Sequence, residues 1–457
     1  MPKLTPAQGS SPTRGGTNPL HGNFADLKGP YSEAQARAEA RRCLECGGPH
    51  APAPCTLGCP AGVDVPGFIT AIADRDYDQA AEIIFSANLL GGSCARVCPI
   101  EETCARDCVL MHEGRRAVEI GRLQRYATDW ALERRRALPR APLNGRRVAV
   151  IGAGPSGLTC AGELAMRGYA VTIYDARREV GGLVRYAIAP YRQQCEPLPK
   201  ETQRIADLGV HFKLNHLIAT PEDLHQLEAD HEAIFLGVGL GEDIDFSLPG
   251  DDLSGIWQSL PFIEALKTGN PPRVGAQVAV IGGGNTAIDV ARESLRLGAE
   301  QVHLVYRRTL DEMPAYHEEV REACEEGVEF KWLTTPVRFL GRERLVAMEC
   351  QTMRLARADA SGRRRPEPVP GGKFSMKVDT VIMAIGQKRR TEWLSFIDGL
   401  ELDGGLIKID PRTGQTTNLR YFAGGDAVNG GATVVQAVQA AKTAACGIDE
   451  FLQGTSP

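Results

Sequence analysis

One supersecondary pattern occurs twice in this chain, and it limits the folds open to it more than any other feature. Arg147-Val148-Ala149-Val150-Ile151 is a short apolar run that reads as a buried parallel strand. Gly152-Ala153-Gly154-Pro155-Ser156-Gly157 follows at once, then a helical stretch to Arg167 and a second strand from Ala170 to Tyr174. Gln277-Val278-Ala279-Val280-Ile281 opens the second copy, about 130 residues later. It continues with Gly282-Gly283-Gly284-Asn285-Thr286-Ala287, a helix to Leu297 and a strand from Gln301 to Tyr306. A glycine turn between strand and helix lets a pyrophosphate approach backbone N–H groups at the helix N-terminus. The motif alone is common, but a strand before it and a helix after it mark a dinucleotide-binding unit. Each copy also reaches a later strand ending in glycine, at residues 233–239 and 380–386, the second including Ala384 and Gly386. The expected fold class is α/β, with two Rossmann-like domains.

The two copies differ in the charge at the end of their second strand. Asp175 closes the first, where a carboxylate can accept the ribose hydroxyls of an unphosphorylated adenosine. Arg307 and Arg308 close the second, where guanidinium groups suit a 2′-phosphate. This reads as FAD in the first unit and NADPH in the second. If the arginines are only surface charges, NADH serves as well. Near the C-terminus, Thr417-Asn418-Leu419-Arg420-Tyr421-Phe422-Ala423-Gly424-Gly425-Asp426 reads as a strand running into a glycine turn and an acid. It resembles the last flavin-binding motif of the two-dinucleotide-domain oxidoreductases, in which the aspartate, here Asp426, binds a ribityl hydroxyl. A helix beginning at about Thr433 would aim its positive end at the flavin ring. The flavin domain is then split, with the nicotinamide domain inserted between its halves.

Eight of the thirteen cysteines lie between Cys43 and Cys108. They read Cys43-x-x-Cys46, Cys55-x-x-x-Cys59-Pro60, Cys94-x-x-x-Cys98-Pro99 and Cys104-x-x-x-Cys108. Closely spaced thiolates suit iron–sulfur clusters or zinc, and a three-residue spacing followed by proline leans toward iron. A structural zinc site remains the alternative. Cys160, Cys195, Cys324, Cys350 and Cys446 stand singly and read as small buried residues.

At 457 residues the chain should hold about three domains. The expected boundaries are a disordered tail over 1–24, an α-helical cysteine domain over 25–140, FAD-binding parts over 144–270 and 387–457, and a nicotinamide domain over 271–386. A net charge of −5 gives no footprint for nucleic acid. The chain has no apolar run of about eighteen residues, so no membrane partner is expected, and the N-terminus lacks a signal-peptide core. A cytoplasmic location follows as an expectation, and it disfavours disulfides.

Taken in order, cysteine domain, FAD half, nicotinamide domain and FAD half resemble one family over nearly the whole chain. The carrying residues are Cys94 to Pro99, Gly152 to Gly157, Gly181-Gly182-Leu183 and Gly424-Gly425-Asp426. Its members include the glutamate synthase small subunit and the N-terminal half, or separate flavoprotein subunit, of dihydropyrimidine dehydrogenase. The resemblance implies two [4Fe–4S] clusters. The first would use Cys43, Cys46, Cys55 and Cys108; the second would use Cys59, Cys98, Cys104 and an unusual glutamine at the position of Gln124, with Cys94 left over. Gly182, Leu183 and Arg192 would lie near the flavin. The segment from Ile188 to Glu196 departs from the family's pattern, and the gap between Cys46 and Cys55 is longer than usual.

The resemblance makes the chain an electron-input subunit that would pass electrons from NADPH, through FAD and the clusters, to a substrate-reducing partner. Hydride transfer between cofactors needs orientation more than an acid or base, so no side-chain catalyst is named. Gln124 in its Ile120–Asp129 context points to the pyrimidine branch, the reading preferred here, with an FMN-barrel partner reducing uracil or thymine. Tyr306 to Thr309 and Asp311 to Pro314 point instead to the glutamate synthase small subunit, whose partner is the large subunit. Two rivals are a zinc-stabilised scaffold with degenerate nucleotide sites and a free-standing reductase with a merely structural cysteine domain.

Overall fold

The computed structural model describes residues 19–48, 50–358 and 364–454. The chain divides into two compact units: residues 26–241 with 388–457, and residues 242–387 with the N-terminal segment up to Ala25.

The larger unit begins with helices that carry the cysteines, among them Glu33–Ala40, Pro54–Leu57, Val65–Ala73, Tyr77–Ala87, Gly91–Val97 and Ile120–Glu133. Phe68, Ile69, Ile72, Ile84, Leu90, Leu123 and Ala127 fill the space between them and are almost wholly buried. Each large apolar side chain so buried is worth about 1.5–3 kcal/mol. Four parallel strands follow: β1 (Arg147–Ile151), β2 (Ala170–Tyr174), β3 (His211–Lys213) and β4 (Ala233–Leu236). Helices cover both faces of this sheet, which is why Val148, Ala149, Val150 and Ile151 are all buried with no alternation.

The smaller unit repeats this plan. Its strands are β5 (Ile256–Gln258), β6 (Gln277–Ile281), β7 (Gln301–Val305), β8 (Glu329–Lys331) and β12 (Thr380–Met383), in parallel order β5-β12-β6-β7-β8. An antiparallel sheet of β9 (Thr334–Gly341), β10 (Leu345–Ala358) and β11 (Arg364–Met376) is inserted between β8 and β12. The chain then returns to the larger unit. There β13 (Leu402–Asp403) and β14 (Leu406–Ile407) form a small hairpin, and β15 (Tyr421–Ala423) pairs with β4. In the completed order β15-β4-β1-β2-β3, the run β4-β1-β2-β3 matches β12-β6-β7-β8 of the smaller unit, while the edge strand is the last in sequence here (β15) and the first there (β5). The fold is therefore α/β with two Rossmann-like sheets and a helical N-terminal region.

Two features bear on the sequence expectations. The punctuation at 138–145 lies within the larger compact unit, in which the cysteine-bearing helices contact the part built on the first sheet. Lys442, on the C-terminal helix Val434–Gln453, shows how: its Nζ donates to the carbonyls of Ala61 (3.1 Å) and Ala87 (2.7 Å). Of the tail expected to be disordered over 1–24, residues 1–18 lie outside the described residues. The rest is placed, since Gly22 N–H donates to Arg296 O at 2.8 Å. Among the described residues no helix is long and apolar enough to cross a membrane.

Candidate cofactor sites

In the larger unit β1 runs into the first glycine turn, and Gly154 caps the helix Pro155–Met166 with Pro155 in its first turn. Proline suits that position because the N–H it lacks would be unpaired there. Close backbone approach makes glycine necessary here. A Cβ on Gly152, at φ +102°, would lie 2.4 Å from Gly237 O, and one on Gly157 would lie 1.8 Å from Gly152 O. Asp175 braces the turn: its Oδ2 accepts from Ala153 N (2.6 Å) and its Oδ1 from Arg177 N (2.7 Å).

Two further glycines close on this turn from elsewhere in the chain. Gly182, at φ +52°, would bring a Cβ within 2.8 Å of Gly154 Cα; Gly425, at φ +77°, would bring one within 2.9 Å of Ser156 Oγ. Leu183 begins the short helix after Gly182 and is exposed. Asp426 begins the helix after Gly425; its Oδ1 accepts from Ala432 N (3.1 Å), and burial pushes its carboxyl up. Thr433 caps the C-terminal helix, its Oγ1 accepting from Gln436 N (3.3 Å). Arg192 is half-buried, with its guanidinium 5.5 Å from the ring centre of Tyr191. The fold thus gathers Gly152, Gly154, Gly157, Gly182, Gly425 and Asp426 from three stretches of sequence. The five glycines, having no side chains, leave a cradle beside Asp426 that fits a dinucleotide.

The second glycine turn repeats this in the smaller unit. A Cβ on Gly282 would lie 2.1 Å from Ala384 O, and one on Gly283 would lie 2.4 Å from the Tyr306 ring. Gly284 faces open space and caps the helix Asn285–Arg296, whose first turn holds Thr286 and Ala287. Asn285 Oδ1 accepts from Tyr316 N (3.0 Å). Gly386, at φ +114°, follows β12, and its carbonyl accepts from Ile244 N (2.9 Å).

Arg307 is exposed and Arg308 half-buried. Arg308 Nε is shut off from solvent with no hydrogen-bond partner among the described residues. The nearby carboxylate of Glu312 is occupied instead by Thr309 and Arg364. An orphaned guanidinium N–H at the end of β7 fits an anionic group on a bound nucleotide.

The thiols fall into two sets. Cys43, Cys46, Cys55 and Cys108 line one pocket together with Val65, Ile69 and Val118. Burial and the neighbouring Cys43 and Cys108 push the Cys55 thiol up to about 12. Cys59, Cys98 and Cys104 crowd together elsewhere, joined by Cys94. The hydrogen bond with Cys94, then burial, raises Cys98; burial, then Cys59, pushes Cys104 up to about 12. Crowded thiols in apolar surroundings resist ionising until a metal centre compensates their charge. Among the described residues no three His, Cys, Asp or Glu side chains converge on a single-ion position. The first set lines a common pocket, and its four thiol donors fit a [4Fe–4S] cluster.

Gln124 lies on the helix Ile120–Glu133, and its Nε2 donates to Gly91 O (2.7 Å). That leaves Oε1 as the atom through which it could ligate. Among the single cysteines, Cys160 and Cys350 are buried, but Cys195, Cys324 and Cys446 are exposed, contrary to expectation. Cys324 and Cys446 sit on outward faces of amphipathic helices, and Cys195 lies in an irregular loop. Sequence reasoning missed Glu201, Gln193 and Lys442, which bind other parts of the larger unit and carry no motif.

Residues 20–136 match the family described as dihydropyrimidine dehydrogenase domain II, 4Fe-4S cluster. Residues 146–441 match the pyridine nucleotide-disulphide oxidoreductase family. The glutamate synthase [NADPH] small chain of Escherichia coli (strain K12) is 36% identical over 94% of this chain and 94% of its own length. The chain belongs to the glutamate synthase small-chain family. The NADP(+)-dependent formate dehydrogenase subunit beta of Moorella thermoacetica is 39% identical over 89% of this chain, which spans 61% of that relative. In fold, the chain is similar to Mycobacterium tuberculosis FprA in complex with NADPH, with a TM-score of 0.57 and 20% identity over 69% of this chain and 86% of that one. Membership makes the chain an oxidoreductase that uses FAD, a pyridine nucleotide and [4Fe–4S] clusters.

Proposed function

We propose that the chain is an NADPH-oxidising electron-input subunit whose partner is of the glutamate synthase large-subunit type. When bound, the cofactors take up hydride as an electron pair and release it as single electrons. The chain's own residues hold and orient them. Gly152 to Gly157, Asp175, Gly182 and Asp426 would hold FAD. Gly282 to Ala287 with Arg307 and Arg308 would hold NADPH. The two cysteine sets, the second completed by Gln124, would hold the clusters.

The observation that carries this reading is that both thiol sets belong to the same compact unit as the flavin cradle. The helix Gly91–Val97, which leads into Cys98, packs against Leu198–Asp207 and Val434–Gln453 of the flavin-type part. The second set therefore lies on the flavin side. The first set, beside the exposed Leu44 and Leu57, lies toward solvent and suits the exit to a partner.

The pyrimidine branch was the first choice from sequence, on the strength of Gln124. Relatives matched end to end support the glutamate synthase alternative better, in agreement with Tyr306 to Thr309 and Asp311 to Pro314. The partner would then reduce the imine formed from 2-oxoglutarate and ammonia.

Anaerobic purification of the tagged chain from its own cells, with the co-purifying protein identified by mass spectrometry, tests the assignment. A glutaminase-bearing large subunit is expected, with glutamate formation driven by NADPH. An FMN-barrel subunit would return the assignment to pyrimidine reduction. Turnover of a small acceptor with no partner present would favour a free-standing reductase.

A further inference from the structure

Glu201 is 1% exposed, yet it sits on the helix Leu198–Asp207 with its carboxylate directed at another part of the unit. Its Oε1 accepts from the amides of Gly92 (2.7 Å) and Ser93 (3.1 Å), and its Oε2 accepts from Ser93 Oγ (2.6 Å). Gln193 Nε2 donates to the same Ser93 hydroxyl at 3.2 Å. These contacts seize the start of the helix Gly91–Val97, whose C-cap is Cys98. Gln124 holds the carbonyl of Gly91, and Arg96 on this helix is fixed by Asp129 at 2.8 and 2.9 Å.

Burying a carboxylate is costly, and a serine or asparagine from the adjoining turn could satisfy the same amides without that cost. The group actually used comes from 109 residues away in the case of Gly92. The approach also depends on glycine, because a Cβ on Gly92 would lie 3.0 Å from both Glu201 Oε1 and Pro197 Cγ. An arrangement that fixes one helix end from a distant element joins the two elements in one geometry.

We infer that Glu201 is a positioning residue for the second iron–sulfur centre, clamping the helix that presents Cys98 to the flavin-type part of the unit. The inference rests on the cluster reading given above. It assigns Glu201 no contact with substrate or cofactor. Its role is to hold Cys98, and through Gly91 also Gln124, in register with Cys59 and Cys104.

The test compares the anaerobically purified full-length protein with Glu201→Ala, Glu201→Gln and Ser93→Ala, measuring FAD, iron, acid-labile sulfide and the EPR spectrum after dithionite reduction. Glu201→Ala should keep its FAD and lose roughly half its iron and sulfide, with one of the two cluster signals. Glu201→Gln, whose amide oxygen can still accept from both N–H groups, should restore most of that signal. Ser93→Ala should perturb the same signal and leave the other unchanged. Full iron and two unchanged signals in Glu201→Ala would overturn the inference. So would equal loss of FAD and both clusters in Glu201→Ala and Ser93→Ala, which would mark a general folding defect. Wild-type protein without iron would refute the cluster reading itself, a result distinct from either.

Discussion

Asp175 Oδ2 accepts a 2.6 Å hydrogen bond from the amide of Ala153, so the acid that ends β2 also fixes the glycine turn after β1. In this reading the residue serves the cofactor twice, by shaping the phosphate-binding turn and by presenting a carboxylate to the ribose. Asp175→Ala would remove both functions and orphan the Ala153 N–H. A hydrogen bond to a charged group is worth about 1.5–3 kcal/mol, so FAD should bind on the order of ten to a hundred times more weakly. Flavin fluorescence during reconstitution of the apoprotein measures this; unchanged affinity would reject the role.

Arg308 supplies the second test. With its Nε buried and unpartnered among the described residues, it is poised for an anion. Arg308→Ala should raise KM for NADPH by about tenfold or more and leave KM for NADH nearly unchanged, the loss of one charge-assisted contact. Equal effects on both nucleotides would make Arg308 a general structural residue.

Most of the fold was legible because its signals are local. Val148 to Ile151 and Val278 to Ile281 are continuous apolar runs before glycine turns, and both became central strands buried on both faces, the second between helices and the inserted antiparallel sheet. The C-terminal motif was read as a strand from Thr417, but pairing with β4 begins only at Tyr421. Asn418 and Thr416 make side-chain to backbone bonds instead, which favours a turn there. The union of the cysteine-bearing helices with the first sheet was not legible. It depends on single long-range contacts, such as Lys442 to Ala87 and Glu201 to Ser93, which have no periodicity or spacing to announce them.

Two glutamates, the half-buried Glu326 and the buried Glu201, should give opposite pH dependences. For Glu326, burial raises the pKa, but hydrogen bonds from Arg296 and Arg292 outweigh it and bring the carboxyl from 4.5 down to about 2. A depressed folded pKa means stabilisation that is present above 4.5 and lost as pH falls toward 2. Glu326→Gln would break a buried network and should cost about 3 kcal/mol near neutrality, with the difference shrinking in that acid window. For Glu201, burial raises the carboxyl from 4.5 to about 7. Its favourable contribution is therefore complete below 4.5 and fades as pH rises toward 7. Urea midpoints of wild type against Glu326→Gln and Glu201→Gln across this range check both signs.

Gln124 is tested by Gln124→Ala. As a ligand through Oε1, its loss should change the EPR signal of one cluster and leave the other as it was. Unchanged cluster content and unchanged spectra would remove Gln124 from the ligand set.

The most direct test of the whole account is the cofactor content of the anaerobically purified protein, with FAD, iron, acid-labile sulfide and zinc quantified in one sample. The account predicts a brown protein with about one FAD per chain, iron and sulfide in equal amounts near eight each, and no stoichiometric zinc. A colourless protein carrying zinc, without flavin or sulfide, would contradict it.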